Sequence, residues 1–149
     1  MTSLAQIARD VRSRTRASAR EALPERELSH HIAVADVLRR FARDDVIWFH
    51  PANGEHRDKR TAAKLRAMGV QPGAPDFVIV IGGRVHLLEM KRPGGEKPSK
   101  AQRDFLFRAV AAGCETAVAF GIDAALDRLN LWGALRVRVS PAMIGGEAA

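Results

Sequence analysis

Gly73-Ala74-Pro75-Asp76, Phe77-Val78-Ile79-Val80-Ile81, Gly82-Gly83, Arg84-Val85-His86-Leu87-Leu88-Glu89-Met90-Lys91: this continuous stretch decides the fold. Two apolar runs with strand character, the first rich in β-branched residues, flank a Gly-Gly pair, the signature of a β-hairpin with a two-residue loop. In that register Ile81 faces Arg84, and counting outward sets Asp76 opposite Glu89. Opposed residues have Cβ atoms about 4.5–5.5 Å apart, where like charges repel. Lys91 lies two residues beyond Glu89 and shares its face. Two carboxylates and an ammonium therefore converge at one end of an apolar hairpin. A divalent cation between the carboxylates would relieve the repulsion, and hard oxygen ligands suit Mg²⁺ or Mn²⁺.

The chain around this hairpin has 149 residues, 46% hydrophobic and 28% charged, enough for one soluble domain with a core. A net charge of +7 favours a polyanionic partner. The single cysteine, Cys114, rules out an internal disulfide framework and a cysteine-based zinc site. No apolar run approaches the roughly 18 residues of a membrane span. The first residues have no apolar signal-peptide core. A cytoplasmic protein is the expectation.

Residues 1–23 form a basic arm carrying Arg9, Arg12, Arg14, Arg16 and Arg20. It reads as a solvated tail or as a phosphate-binding arm whose contribution falls with salt. Residues 24–140 read as the folded domain, and residues 141–149 as a frayed tail. Pro24, Glu25 and Glu27 mark a helix start. Leu28, Ile32, Ala35, Leu38 and Phe41 continue that helix at helical spacing through about Arg43. Glu27 and His31 share its face, and His30 and His31 read as surface or phosphate-near residues rather than metal ligands.

Val46–Phe49 is a short strand leading into a polar turn-rich loop, His50 to Arg57. Such loops on a rigid scaffold carry function, and His50, Asn53 and Arg57 are expected to touch substrate. The histidines and the second strand needed for a ββα-metal nuclease are not at matching spacing. Thr61–Met68 is a basic helix closed by Gly69. Ser99 and Gln102 form a capping box at the start of another helix, whose Phe105, Leu106, Ala109 and Val110 point inward. Gln102 is thus a capping partner within reach of the carboxylates. Thr116–Phe120 is a buried strand, parallel to the one before it, and a helix spans about Asp123 to Leu131. Leu135–Val139 alternates apolar and basic, as an edge strand does.

With Asp76, Glu89-Met90-Lys91 and Gln102 together, the chain resembles the VRR-NUC domain family of the PD-(D/E)xK nuclease superfamily. The resemblance runs through "WFHPANGEHR", "KLRAMGVQPGAPDFVIV", "GRVHLLEMKRPGGEKPSKAQRDF" and "AAGCETAVAF", and covers about Glu27 to Trp132. It implies an α/β fold with a restriction-endonuclease-like core, a mixed central β-sheet flanked by helices. It implies Mg²⁺- or Mn²⁺-dependent hydrolysis of phosphodiester bonds in DNA. Asp76, Glu89 and the Met90 main-chain carbonyl would hold metal, with Glu27 as the upstream acidic residue of the metal set. Lys91 would orient or activate water and stabilise charge, and Gln102 would sit by the lysine.

Stand-alone members of this family occur in bacteria and phages and tend to be homodimers. By that analogy the substrate is branched or Holliday-junction-like DNA, held by His50, Asn53, Arg57, Arg60, Lys64, Arg92, Lys97 and Lys100. Two other classes remain open from the residues. One is a branched-DNA-binding module with an idle nuclease-like site. The other is a hydrolase of small phosphorylated substrates, for which the basic charge is excessive.

Overall fold

The computed structural model describes residues 28–51 and 58–144. The basic arm, Glu27, Asn53, Arg57 and the last five residues lie outside them. The elements in order are helix α1 (residues 28–41), β1 (Ile47–Phe49), α2 (Lys59–Ala67), β2 (Phe77–Ile81), β3 (Arg84–Lys91), α3 (Lys100–Ala111), β4 (Glu115–Phe120), α4 (Ile122–Trp132) and the short α5 (Pro141–Ile144). The four strands form one mixed sheet in the order β1-β2-β3-β4.

The hairpin sets the register of everything else. Gly82 and Gly83 have φ of +56° and +78°. Positive φ at both central residues gives the turn whose twist matches the flanking strands, and glycine reaches it without a Cβ clash. Ile81 pairs with Arg84 and Phe77 with Leu88, as the sequence predicts. β1 adds antiparallel to β2, with Phe49 opposite Val78. β4 adds parallel to β3 after the α3 crossover, with Lys91 opposite Phe120.

Alternation along the hairpin divides the sheet into two faces. Phe77, Ile79, Leu88 and Met90 point to one side and are fully buried. They pack with Val34, Val37 and Leu38 of α1 and with Ala125, Leu126 and Leu129 of α4 to form the core. The opposite face presents Val78, Val85 and Leu87 toward Phe105 and Ala109 of α3, around a cleft of about 540 Å³. Coverage of both faces explains why both faces of the hairpin are largely apolar.

Two expectations about packing are corrected. Leu135–Val139 is not a strand, and its one sheet-like contact is an isolated bridge from Leu135 to Ala42. Its sequence alternation is not matched by burial, since Val137 is 48% exposed, and other contacts hold the segment. The Arg136 N–H donates to the Phe41 carbonyl at 2.9 Å, and the Asn130 side chain brackets the backbone N–H and carbonyl of Val139 at 3.0 and 2.7 Å. The segment is thereby pinned across the ends of α1 and α4, with Leu135 and Val139 turned into the core. Val110, expected to face inward from α3, is exposed, and Ala109 is the buried residue of that helix. Pro141–Ile144, at the head of the expected tail, forms α5.

Candidate active site and metal centre

Five elements deliver side chains to one end of the sheet. Asp76 immediately precedes β2, and Glu89 and Lys91 lie at the end of β3. Gln102 lies in the first turn of α3, His31 on α1, and His50 just after β1.

Glu89 is 2% exposed. A carboxylate so deeply buried needs charged or hydrogen-bonding partners. The Lys91 ammonium sits 3.0 Å from its Oε1, and Nε2 of Gln102 donates to the same oxygen. Gln102 also completes the capping box. Its Oε1 accepts from the Ser99 N–H at 2.7 Å, while the Ser99 hydroxyl accepts from the Gln102 N–H at 3.2 Å. The capping and site-facing readings of Gln102 therefore hold together in one side chain.

Asp76 opposes Glu89 one step beyond the last ladder pair, Phe77 with Leu88. Its Oδ2 accepts from the Met90 N–H at 2.7 Å, which anchors the carboxylate to the β3 backbone. Its other oxygen, Oδ1, lies 3.8 Å from Nδ1 of His31. A close glycine contact places Asp76. Gly73 has φ of +75°, and a Cβ there would stand 2.2 Å from the Ala101 carbonyl oxygen. Only glycine lets the Gly73-Ala74-Pro75-Asp76 segment press against the start of α3.

The histidines gain partners that the sequence reading does not give them. His31 is partly buried, its side chain 19% exposed. Its ring lies 4.5 Å from Phe77 and edge-on to His50 at 4.3 Å. Burial lowers its pKa below the usual histidine value and His50 adds to the lowering, while the Asp76 carboxylate opposes both. His50 contacts the Asp76 main-chain carbonyl through Nδ1 at 2.6 Å. Each of His31, His50 and Asp76 offers one donor atom, and these atoms lie within 4.8 Å of one another. The docking of α1 over β2 is a long-range contact that no local pattern encodes.

The donor set suits a divalent cation: two carboxylates, a backbone carbonyl at Met90 and nearby imidazoles. Of the residues expected to meet DNA, Arg60, Lys64 and Lys97 are exposed and Arg92 is partly exposed. Lys100 is exposed too, but it is paired with Asp104 at 2.5 Å. Among the described residues, no helix is long and apolar enough to cross a membrane.

No protein-family model matches the chain, and no curated protein matches it. A solved structure described as a VRR_NUC domain protein does, with a TM-score of 0.61 and 24% sequence identity. The match covers 74% of this chain and 89% of the other. The mixed sheet, its flanking helices and that match agree on the architecture expected from sequence: the chain has the fold of a VRR_NUC domain protein.

Proposed function

We propose that this protein is a metal-dependent DNA endonuclease that acts on branched, junction-like DNA as a homodimer, in the cytoplasm of a bacterial or phage-infected cell. The observation that carries this reading is the buried Glu89–Lys91 pair, 3.0 Å apart, opposite Asp76 at the end of an apolar hairpin. A fold alone does not specify chemistry. A buried charge pair facing a second carboxylate is costly for folding and is explained by a site that handles a cation and an anionic substrate.

Asp76, Glu89 and the Met90 carbonyl would hold Mg²⁺ or Mn²⁺, with Glu27 as a further acidic contributor. A bound cation supplies charge neutralisation at the phosphate and an acidified water. The protein's own residues do the rest. Glu89 and Gln102 fix the position of the Lys91 head group, which places positive charge where the phosphate gains negative charge. Met90 holds Asp76 through its N–H, so the carboxylate is oriented before substrate arrives. Arg60, Lys64, Arg92 and Lys97, with Asn53, Arg57 and Lys100, would hold the DNA backbone, which positions the substrate without reading its sequence.

The test is cleavage of end-labelled duplex, single-stranded, flap and four-way-junction DNA in Mg²⁺, Mn²⁺ and EDTA. Metal-dependent products from a branched substrate are expected, absent with Lys91→Ala although that variant still binds DNA. Binding without products in any metal would instead identify a DNA-binding module with an idle site. Solution mass tests the dimer.

A further inference from the structure

We propose that His31, His50 and Asp76 form a nitrogen-containing metal site that takes a first-row transition cation in preference to Mg²⁺. The proposal rests on the metal-dependent reading above and adds to it two imidazole ligands beside Asp76.

Three observations converge. The first is proximity: three donor atoms from three separate elements lie within 4.8 Å of one another. The second is the orientation of His50. Its Nδ1 lies 2.6 Å from the Asp76 main-chain carbonyl. A carbonyl only accepts, so Nδ1 carries the proton, and in the neutral ring Nε2 keeps its lone pair. A ring N–H donated to a backbone carbonyl is the arrangement that orients metal-binding histidines. The third is the division of labour within Asp76. Oδ2 is committed to the Met90 N–H, and Oδ1 is the oxygen turned to His31.

A phosphate-contacting role explains these facts less well. His31 is lodged between Phe77 and His50, with its side chain only 19% exposed. Its position suits a ligand inside a site, not a contact on a DNA backbone. Imidazole nitrogen also determines the class of ion. Mg²⁺ demands oxygen ligands and keeps its waters, whereas imidazole suits Co²⁺, Ni²⁺ and Zn²⁺, with affinity rising from Mn²⁺ along the series.

The experiment uses the full chain without a histidine tag, stripped of metal, and titrates Co²⁺ and Mg²⁺ by calorimetry. Co²⁺ is expected to bind at least tenfold more tightly than Mg²⁺. His50→Ala and His31→Gln are each expected to lower Co²⁺ affinity by about tenfold or more, the scale of losses around metal sites, and to leave Mg²⁺ affinity unchanged. NMR of the wild-type protein supplies a readout that does not depend on a variant folding: Co²⁺ should shift the ring signals of His31 and His50. Unshifted ring signals, or wild-type Co²⁺ affinity in His50→Ala, overturns the proposal. Loss of Co²⁺ binding in Glu89→Gln with full retention in both histidine variants also overturns it. DNA cleavage separates the two claims. If Co²⁺ binding follows the histidines and no DNA is cut, the nuclease reading fails and the metal site stands. If DNA is cut and the histidine variants bind Co²⁺ as wild type does, the reverse holds.

Discussion

Gln102 joins Glu89 to the N-terminus of α3. Its Nε2 donates to the Glu89 carboxylate, and its Oε1 accepts from the Ser99 N–H at 2.7 Å. The helix cap and the buried carboxylate thus share one amide, and damage to either is felt by the other. Gln102→Ala is expected to cost about 1–3 kcal/mol, since it removes a donor to a buried charge and half of a capping box. Urea unfolding measures this, and cleavage should fall with it. Gln102→Glu keeps a capping acceptor but sets a second carboxylate against Glu89. Its cleavage rate should lie below that of Gln102→Ala at neutral pH. The gap should close as the pH falls and the two carboxylates share a proton.

Lys91 is the counter-charge of Glu89, so its removal has a structural as well as a chemical effect. Lys91→Ala should abolish cleavage and lower metal-free stability by about 3 kcal/mol, because a buried carboxylate is left uncompensated. Adding Glu89→Gln in the same chain should recover part of that loss without restoring cleavage. A double-mutant cycle by urea unfolding checks the coupling. Additive losses would mean that the pair, although 3.0 Å apart, does not interact energetically.

Gly73 and Gly69 both have positive φ, but only Gly73 is crowded. Gly73→Ala adds a Cβ that would overlap the Ala101 carbonyl. Backbone strain and overpacking together should cost roughly 2–5 kcal/mol. Gly69→Ala meets open space and should cost only about 1–2 kcal/mol, from φ alone. Comparing the two by thermal unfolding isolates the close approach. Gly73→Ala should also weaken metal binding at Asp76.

Helix α2 has a pH-sensitive cap. The backbone N–H and hydroxyl of Thr61, together with the Arg60 N–H, hold the Asp58 carboxyl below its usual pKa of 3.8. A folded value below the unfolded one means that ionised Asp58 favours the helix. The contribution is complete above the unfolded pKa and is lost as pH falls through the lower folded value. The Thr61 amide NMR signal should therefore titrate below pH 3.8, and Asp58→Asn should flatten that titration.

Much of the fold and part of the site were legible in the residues themselves. Gly82-Gly83 fixes a two-residue turn, and strict alternation then allows one register, so the Asp76–Glu89 opposition follows by counting. Ser99 and Gln102 announced their helix start because capping is a local interaction. The surroundings of His31 are not legible because its neighbours come from the end of β1 and from β2, brought over it by core packing alone. Leu135–Val139 was misread as an edge strand. The apolar–basic alternation of the sequence does not carry through to burial, because Val137 is 48% exposed and only Leu135 and Val139 turn into the core.

The two-residue turn also constrains how this architecture can vary in length. Paired positions in the hairpin sum to a constant, as Phe77 with Leu88 and Ile81 with Arg84 both show. The hairpin can then lengthen only by adding one residue to each strand. Each such step inverts the side-chain direction at the tip but leaves the two acids opposed. The interval from Asp76 to Glu89, 89 − 76 = 13 positions, can thus grow or shrink only in twos while the turn is kept. A single-residue insertion would slide one strand by half a pleat and turn Glu89 out of the site. The hairpin acts as a ruler graduated in pairs, and related chains built on the same turn should carry odd intervals between these two acids.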